Sequence, residues 1–170
     1  VEGDTIFFHH EDMVAYDEPD KNALNDIVDL VSKYNVDFVK LLKGGNHTDI
    51  IIEDISVKNL YYIPLNGLSY TVQPSIWKRD SLLQIHKMCP NTSVRDIELV
   101  ASDYLNKKQD TFGLYWYAKE SKRGMHHWNS KVYPNGNMIS KGKWIYSEYN
   151  KELAELHEQY KIDKNIRGTI

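Results

Sequence analysis

Two acidic residues, Glu11 and Asp12, close an apolar run in the stretch IFFHHED at residues 6–12. Carboxylates are hard oxygen donors that suit Mg2+ or Mn2+, and such ions neutralise a diphosphate by Lewis-acid contact. A strand ending in this way places the acids at its mouth, where open α/β sheets bind ligands at the carboxyl ends of parallel strands. The same acid pair also suits the start of a solvated loop. His9 and His10 alternate along the strand, so they face opposite sides of it. One is expected to be a hydrogen-bonded structural histidine, although imidazole is also a frequent metal ligand.

A second polar cluster, KRGMHHW at residues 122–128, lies over a hundred residues later. Lys122 and Arg123 are cations in a glycine-containing segment that could close over a diphosphate, with Arg123 gripping two oxygens at once. His126 or His127 could complete a metal shell begun by Asp12. The plainer alternative is a basic surface loop whose Trp128 packs inward. A third cluster is RDIE at residues 95–98, where a carboxylate at a helix start could act as general base toward an attacking hydroxyl. Ser93 and Asp96 fit a capping box, which gives Asp96 a structural task and leaves Glu98 the freer base. Gln73 and Trp77 lie where a strand passes into a helix, beside Lys78 and Arg79. A glutamine in a half-buried strand needs a partner, either a sugar hydroxyl or a neighbouring backbone group. Trp77 suits the core, as tryptophan usually does, or a sugar platform.

The elements that must position these residues follow from periodicity and turn chemistry. Residues 4–10 read as a buried strand. Glu18, Pro19 and Asp20 open a helix to about residue 34, with Leu24, Ile27, Val28, Val31 and Tyr34 at helical spacing. A strand over 37–42, stopped by Gly44 and Gly45, completes a strand–helix–strand unit and points to an α/β layer. Further strands are expected over 49–56, 60–64 and 69–76, the last with Pro74 marking an edge or end. A short helix follows over 78–87, and another, capped by Thr92 or Ser93, from about 94 to 106. A strand over 111–118 precedes a loop-rich segment at 119–142, and Ser147 caps a last helix to about 160. No repeat or linker interrupts the chain, so residues 1–170 read as one domain.

Composition narrows the function classes. A chain of 170 residues can bury a real core, and a net charge of −3 gives no general attraction to nucleic acid or an anionic membrane. The single cysteine, Cys89, rules out an internal disulfide and fits a reducing, cytoplasmic setting. No apolar run approaches the ~20 residues that cross a bilayer. The chain contains no GxGxxG, P-loop lysine motif or GxSxG elbow. His10 and Glu11 begin an HExxH phrase, but Val14 stands where its second histidine belongs.

Taken in order, FFHHEDM, FVKLLKGG, YTVQPSIWKRDSLL, RDIEL and KRGMHHWNSKVYP with KGKW resemble a GT-A type, nucleotide-diphospho-sugar glycosyltransferase. The likeness is strongest to such sequences from large DNA viruses, marine phages and metagenomes, and it spans nearly the whole chain. It implies a three-layer-like α/β GT-A fold, truncated at its N-terminal nucleotide-binding half, so that the chain is the carboxy-terminal metal and acceptor half. The implied activity is metal-assisted transfer of a sugar from a nucleotide-diphosphate donor to a saccharide or other hydroxyl acceptor, in a protein that could form a homo-oligomer. The implied cofactor is Mn2+ or Mg2+. The family's acidic metal motif would fall on His10, Glu11 and Asp12, with Asp12 the ligand; here His10 replaces the first acid. The acceptor side would fall on Gln73 through Arg79, the base of inverting members on Asp96 or Glu98, and a late metal-shell histidine on His126 or His127. The alternative is a non-catalytic half-domain that binds a glycan or a partner chain.

Overall fold

The computed structural model describes residues 3–45, 48–52, 57–93, 96–108, 110–123 and 127–170, without the side chain of His127. Thr5–Phe8 forms β1, and Met13–Ala15 forms β2. Helix α1, Lys21–Lys33, starts at Asp20, whose carboxylate accepts from the Asn22 and Ala23 amides at 3.1 and 3.0 Å. That bond satisfies two of the donors a helix start leaves unpaired. Phe38–Lys40 is β3, Ile50–Ile51 β4 and Leu60–Tyr62 β5. Ser75–Lys78, β6, runs directly into α2, Arg79–Met88; α3 spans Ile97–Lys107 and β7 Gly113–Trp116. Short strands follow: β8 Lys122–Arg123, β9 His127–Trp128, β10 Asn135–Asn137, β11 Ile139–Ser140 and β12 Lys143–Trp144. Helix α4, Tyr146–Tyr160, comes last.

The protein is mixed α/β, built on a six-stranded sheet in the order β1-β6-β3-β7-β5-β4. β3 and β7 pair in parallel, while β6 is antiparallel to both β1 and β3, and β5 to β7. Strands β1, β3 and β7 therefore point the same way. Their carboxyl ends share one edge of the sheet with the starts of β5 and β6.

Alternation along β3 sends Val39 to one face and Phe38 to the other. On the Val39 face, Ile27, Leu30 and Val31 of α1 join Ile76, Leu114 and Trp116. On the Phe38 face, Leu82 and Ile85 of α2 and Ala101 and Leu105 of α3 join Trp77 and Tyr115. A third cluster, Met138, Ile139, Trp144, Tyr149 and Leu153, ties β11, β12 and α4 to Val14 of β2.

Several sequence expectations need correction. β1 is an edge strand rather than a buried one: Phe7 is 45% exposed, and among the described residues its ladder bonds are to β6, on one side. Because β6 inserts between β1 and β3, the strand–helix–strand unit is split, and the neighbour of β1 is antiparallel. Residues 69–74 are not a strand. The Tyr70 backbone instead bonds the buried Ser102 hydroxyl, its amide donating at 2.9 Å and its carbonyl accepting at 3.2 Å. The strand comes later, at β6. Short strands occupy the segment expected to be loop, and α4 begins one residue before Ser147, with no side-chain cap.

Candidate functional site

The acidic pair stands on a turn between β1 and β2. The Asp12 amide donates to His10 Nδ1 at 3.3 Å, the Met13 amide to the His10 carbonyl at 3.1 Å, and the Met138 amide to the Asp12 carbonyl at 3.1 Å. This clamps the turn at the carboxyl edge of the sheet. The Asp12 carboxylate is 40% exposed, and its Oδ2 lies 3.9 Å from His10 Nδ1. His9, beyond the end of β1, sets its ring edge-on to Tyr133, 5.6 Å between centroids. Burial, followed by the neighbouring His10, pulls the His9 imidazole below its usual range.

The second cluster reaches the same edge. The Trp128 amide donates to the Lys43 carbonyl at 3.0 Å, and the Ser130 hydroxyl to the Leu41 carbonyl at 2.5 Å, just past the end of β3. Tyr133 then packs on Phe7 at 5.1 Å, and β10 pairs with β2. The chain from residue 128 to residue 137 thus crosses the sheet edge from β3 to the acid-bearing turn. Lys122 lies over the Trp128 ring at 5.3 Å. Arg123 is drawn to α4: its Nη2 is 2.8 Å from Glu152, donates to the Glu148 carbonyl at 3.0 Å, and its guanidinium covers Tyr149 at 4.7 Å. The side chain expected to chelate phosphate is thus engaged within the protein. His126 lies outside the described residues, as does the side chain of His127.

Glu98, in the first turn of α3, accepts the Val72 amide on Oε1 at 2.8 Å. This bond fixes the carboxylate beside the start of β6, at the shared edge. Gln73 accepts the Thr71 hydroxyl on Oε1 at 3.2 Å, and its amide packs so closely on Gly44 that a Cβ there would collide with it. Asp96 makes half of the expected capping box: its amide donates to Ser93 Oγ at 3.2 Å, but its carboxylate accepts the Ser93 hydroxyl at 2.6 Å rather than a backbone amide, and α3 has no side-chain cap. Trp77 belongs to the core. It is fully buried, stacks on Phe38 at 4.4 Å and donates from Nε1 to Ser75 Oγ at 2.8 Å, so it offers no face to a sugar.

Two further groups at this edge escaped sequence reasoning. Lys43 donates to Asp49 at 2.6 Å and lies over Tyr117 at 4.5 Å and Trp128 at 5.2 Å. Tyr115 donates to the same Asp49 at 2.7 Å. Burial alone would raise the Asp49 carboxyl, but the bonds from Lys43 and Tyr115 hold it below the usual range. The other group is Lys40, a buried amine at the end of β3. Its signal in the sequence was slight: one lysine inside the apolar run FVKLL.

Among the described residues no three His, Cys, Asp or Glu side chains are grouped as a metal shell, and no helix is long and apolar enough to cross a membrane. Glu11 and Asp12 nevertheless fit Mg2+ or Mn2+, which take one or two carboxylates and complete their shell with substrate phosphate and water. No family model, curated protein or solved structure matches the chain.

Proposed function

We propose that this chain is the metal and acceptor half of a GT-A type glycosyltransferase, moving a sugar from a nucleotide-diphosphate donor to an acceptor hydroxyl. The observation that supports the reading is a shared end of the sheet: the acid turn follows β1, Gln73 leads into its partner strand β6, and Glu98 is tied to the neighbouring Val72 amide. Asp12, helped by Glu11 and by His126 or His127, would hold Mn2+ or Mg2+. Such an ion neutralises the diphosphate that leaves. Lys122 would add positive charge on the donor side, and Gln73 would donate from its amide to an acceptor hydroxyl. Glu98, with Oε1 tied to the Val72 amide, would use Oε2 as general base. It takes the hydroxyl proton as the acceptor oxygen bonds the anomeric carbon and the diphosphate departs with the electron pair, inverting that centre. Asp96, whose carboxylate accepts the Ser93 hydroxyl, is the weaker candidate for the role.

The test is transfer and hydrolysis of UDP- and GDP-hexoses with Mn2+. Asp12→Ala and Asp12→Asn should each lower turnover by about 100-fold, the scale typical of losing one charge-stabilising group. Unchanged turnover in both variants removes the metal role. One observation favours a second reading, a binding module without turnover: Tyr117 and Trp128, set edge to face at 6.4 Å, form an aromatic cluster with Lys43. Calorimetry separates the two, because a module binds saccharide regardless of metal and nucleotide.

A further inference from the structure

Asp49, where the chain enters β4, is held by partners from two other strands. Lys43, past the end of β3, donates to its Oδ1 at 2.6 Å, and Tyr115 of β7 donates to the same oxygen at 2.7 Å. Among the described residues no hydrogen bond reaches Oδ2, and the Asp49 side chain remains 24% exposed. Lys119 stands opposite, its Nζ 3.8 Å from Oδ2, which is too far for a hydrogen bond. Its side chain is 72% exposed, and its backbone is left-handed at φ 64°, uncommon outside glycine and asparagine. Such backbone outliers gather at binding and catalytic sites. Aromatic rings flank the pair: Lys43 lies over Tyr117 at 4.5 Å and Trp128 at 5.2 Å, and Lys119 over Tyr61 and Tyr117 at 5.8 Å each. Tyr117 and Trp128 are only half buried.

A carboxylate fixed through one oxygen, with the other open, is an acceptor prepared for a donor from outside. Lys43 already balances the charge of Asp49, so Lys119 is left to donate elsewhere. Two neighbouring hydroxyls of a sugar ring complement this arrangement: one donates to Oδ2 and the next accepts from the ammonium, both charge-assisted bonds. The apolar face of the sugar then packs on the aromatic rings. We propose that Asp49 and Lys119 form a specificity-determining subsite for vicinal hydroxyls of a saccharide, flanked by Tyr117 and Trp128. The subsite rests on the saccharide-binding reading above, in which the sugar held here belongs to the acceptor. Tyr117 and Lys119 follow β7 at the end of the sheet that carries the acid turn.

Binding is read without metal or nucleotide, from backbone amide shifts during titration with the methyl glycosides of glucose, galactose, mannose, fucose and xylose. At least one sugar should shift residues 49, 117, 119 and 128. Tetrahydropyran-2-methanol, a pyran ring without vicinal hydroxyls, should not. Asp49→Asn keeps an oxygen for Lys43 and Tyr115 but loses the charge, and Lys119→Gly suits the left-handed backbone but loses the ammonium. Each should weaken Kd by about 10-fold or more, and Lys119→Gly decides alone if Asp49→Asn does not fold. Silence toward all the sugars, shifts that the pyran reproduces, or a wild-type Kd in either folded variant overturns the subsite. Sugar-nucleotide turnover by a protein whose residues 49 and 119 ignore every sugar overturns the subsite and leaves the transfer reading standing. Binding here by a protein without turnover does the reverse.

Discussion

His157 is buried in α4, its Nδ1 2.8 Å from the Tyr146 hydroxyl and its ring edge-on to Trp144 at 4.9 Å. Burial, and after it the charge of Lys164, lowers its pKa from 6.5, so the folded state favours neutral imidazole. The stability this contributes is complete above 6.5 and is lost as pH falls through the lowered folded value. Scanning calorimetry should therefore show Tm falling below pH 6.5 in the wild type and falling less steeply in His157→Gln. Equal slopes would contradict this account, since His9, also lowered by burial, is present in both proteins. At this scale the sequence was partly legible. The pairing of Ser93 with Asp96 was legible from the S-x-x-D spacing, but the bond that Glu98, expected to have no structural task, makes to the Val72 amide was not. Lys40 and Arg123 were not legible. Their environments depend on which helix covers a strand face, and on α4 supplying Glu152 from 29 residues away in the chain.

Among the elements, β7 depends on a glycine. Gly113 is the parallel partner of Phe38, whose ring fills the place a Cβ would take and is itself stacked on Trp77. Gly113→Ala must push that ring into a packed core, at a cost of about 1–3 kcal/mol. Urea unfolding measures it, and a loss below about 0.5 kcal/mol would mean that the core gives way more easily than its packing implies. Helix α1 was readable from the stripe of apolar residues that repeats along it, but it opens at Lys21 with Asp20 as its cap, not with Glu18, Pro19 and Asp20 in its first turn. The split strand–helix–strand unit was not. Whether β6 enters between β1 and β3 is decided by the path of residues 69–74 along α3, held by Ser102 and Glu98, and no local pattern encodes that path.

For the whole molecule, the sheet gathers the carboxyl ends of β1, β3 and β7 on one edge, and the chain from Trp128 to β10 crosses it. Trp128, the last residue of KRGMHHW, is bonded just past β3, and the chain after it pairs with β2 beside the acid-bearing turn, while residues 124–126 lie outside the described residues. The acid turn, Gln73 and Glu98 at that edge are the substance of the proposed metal-assisted transfer site. The most direct test is a map of Mn2+ binding by paramagnetic broadening of backbone amide signals, with UDP present. Selective broadening at residues 9–13 and 73–75, abolished by Asp12→Asn, is the predicted result. Broadening centred instead on the acids of α1, such as Asp26 and Asp29, or broadening that Asp12→Asn leaves intact, would contradict a metal site at the sheet edge.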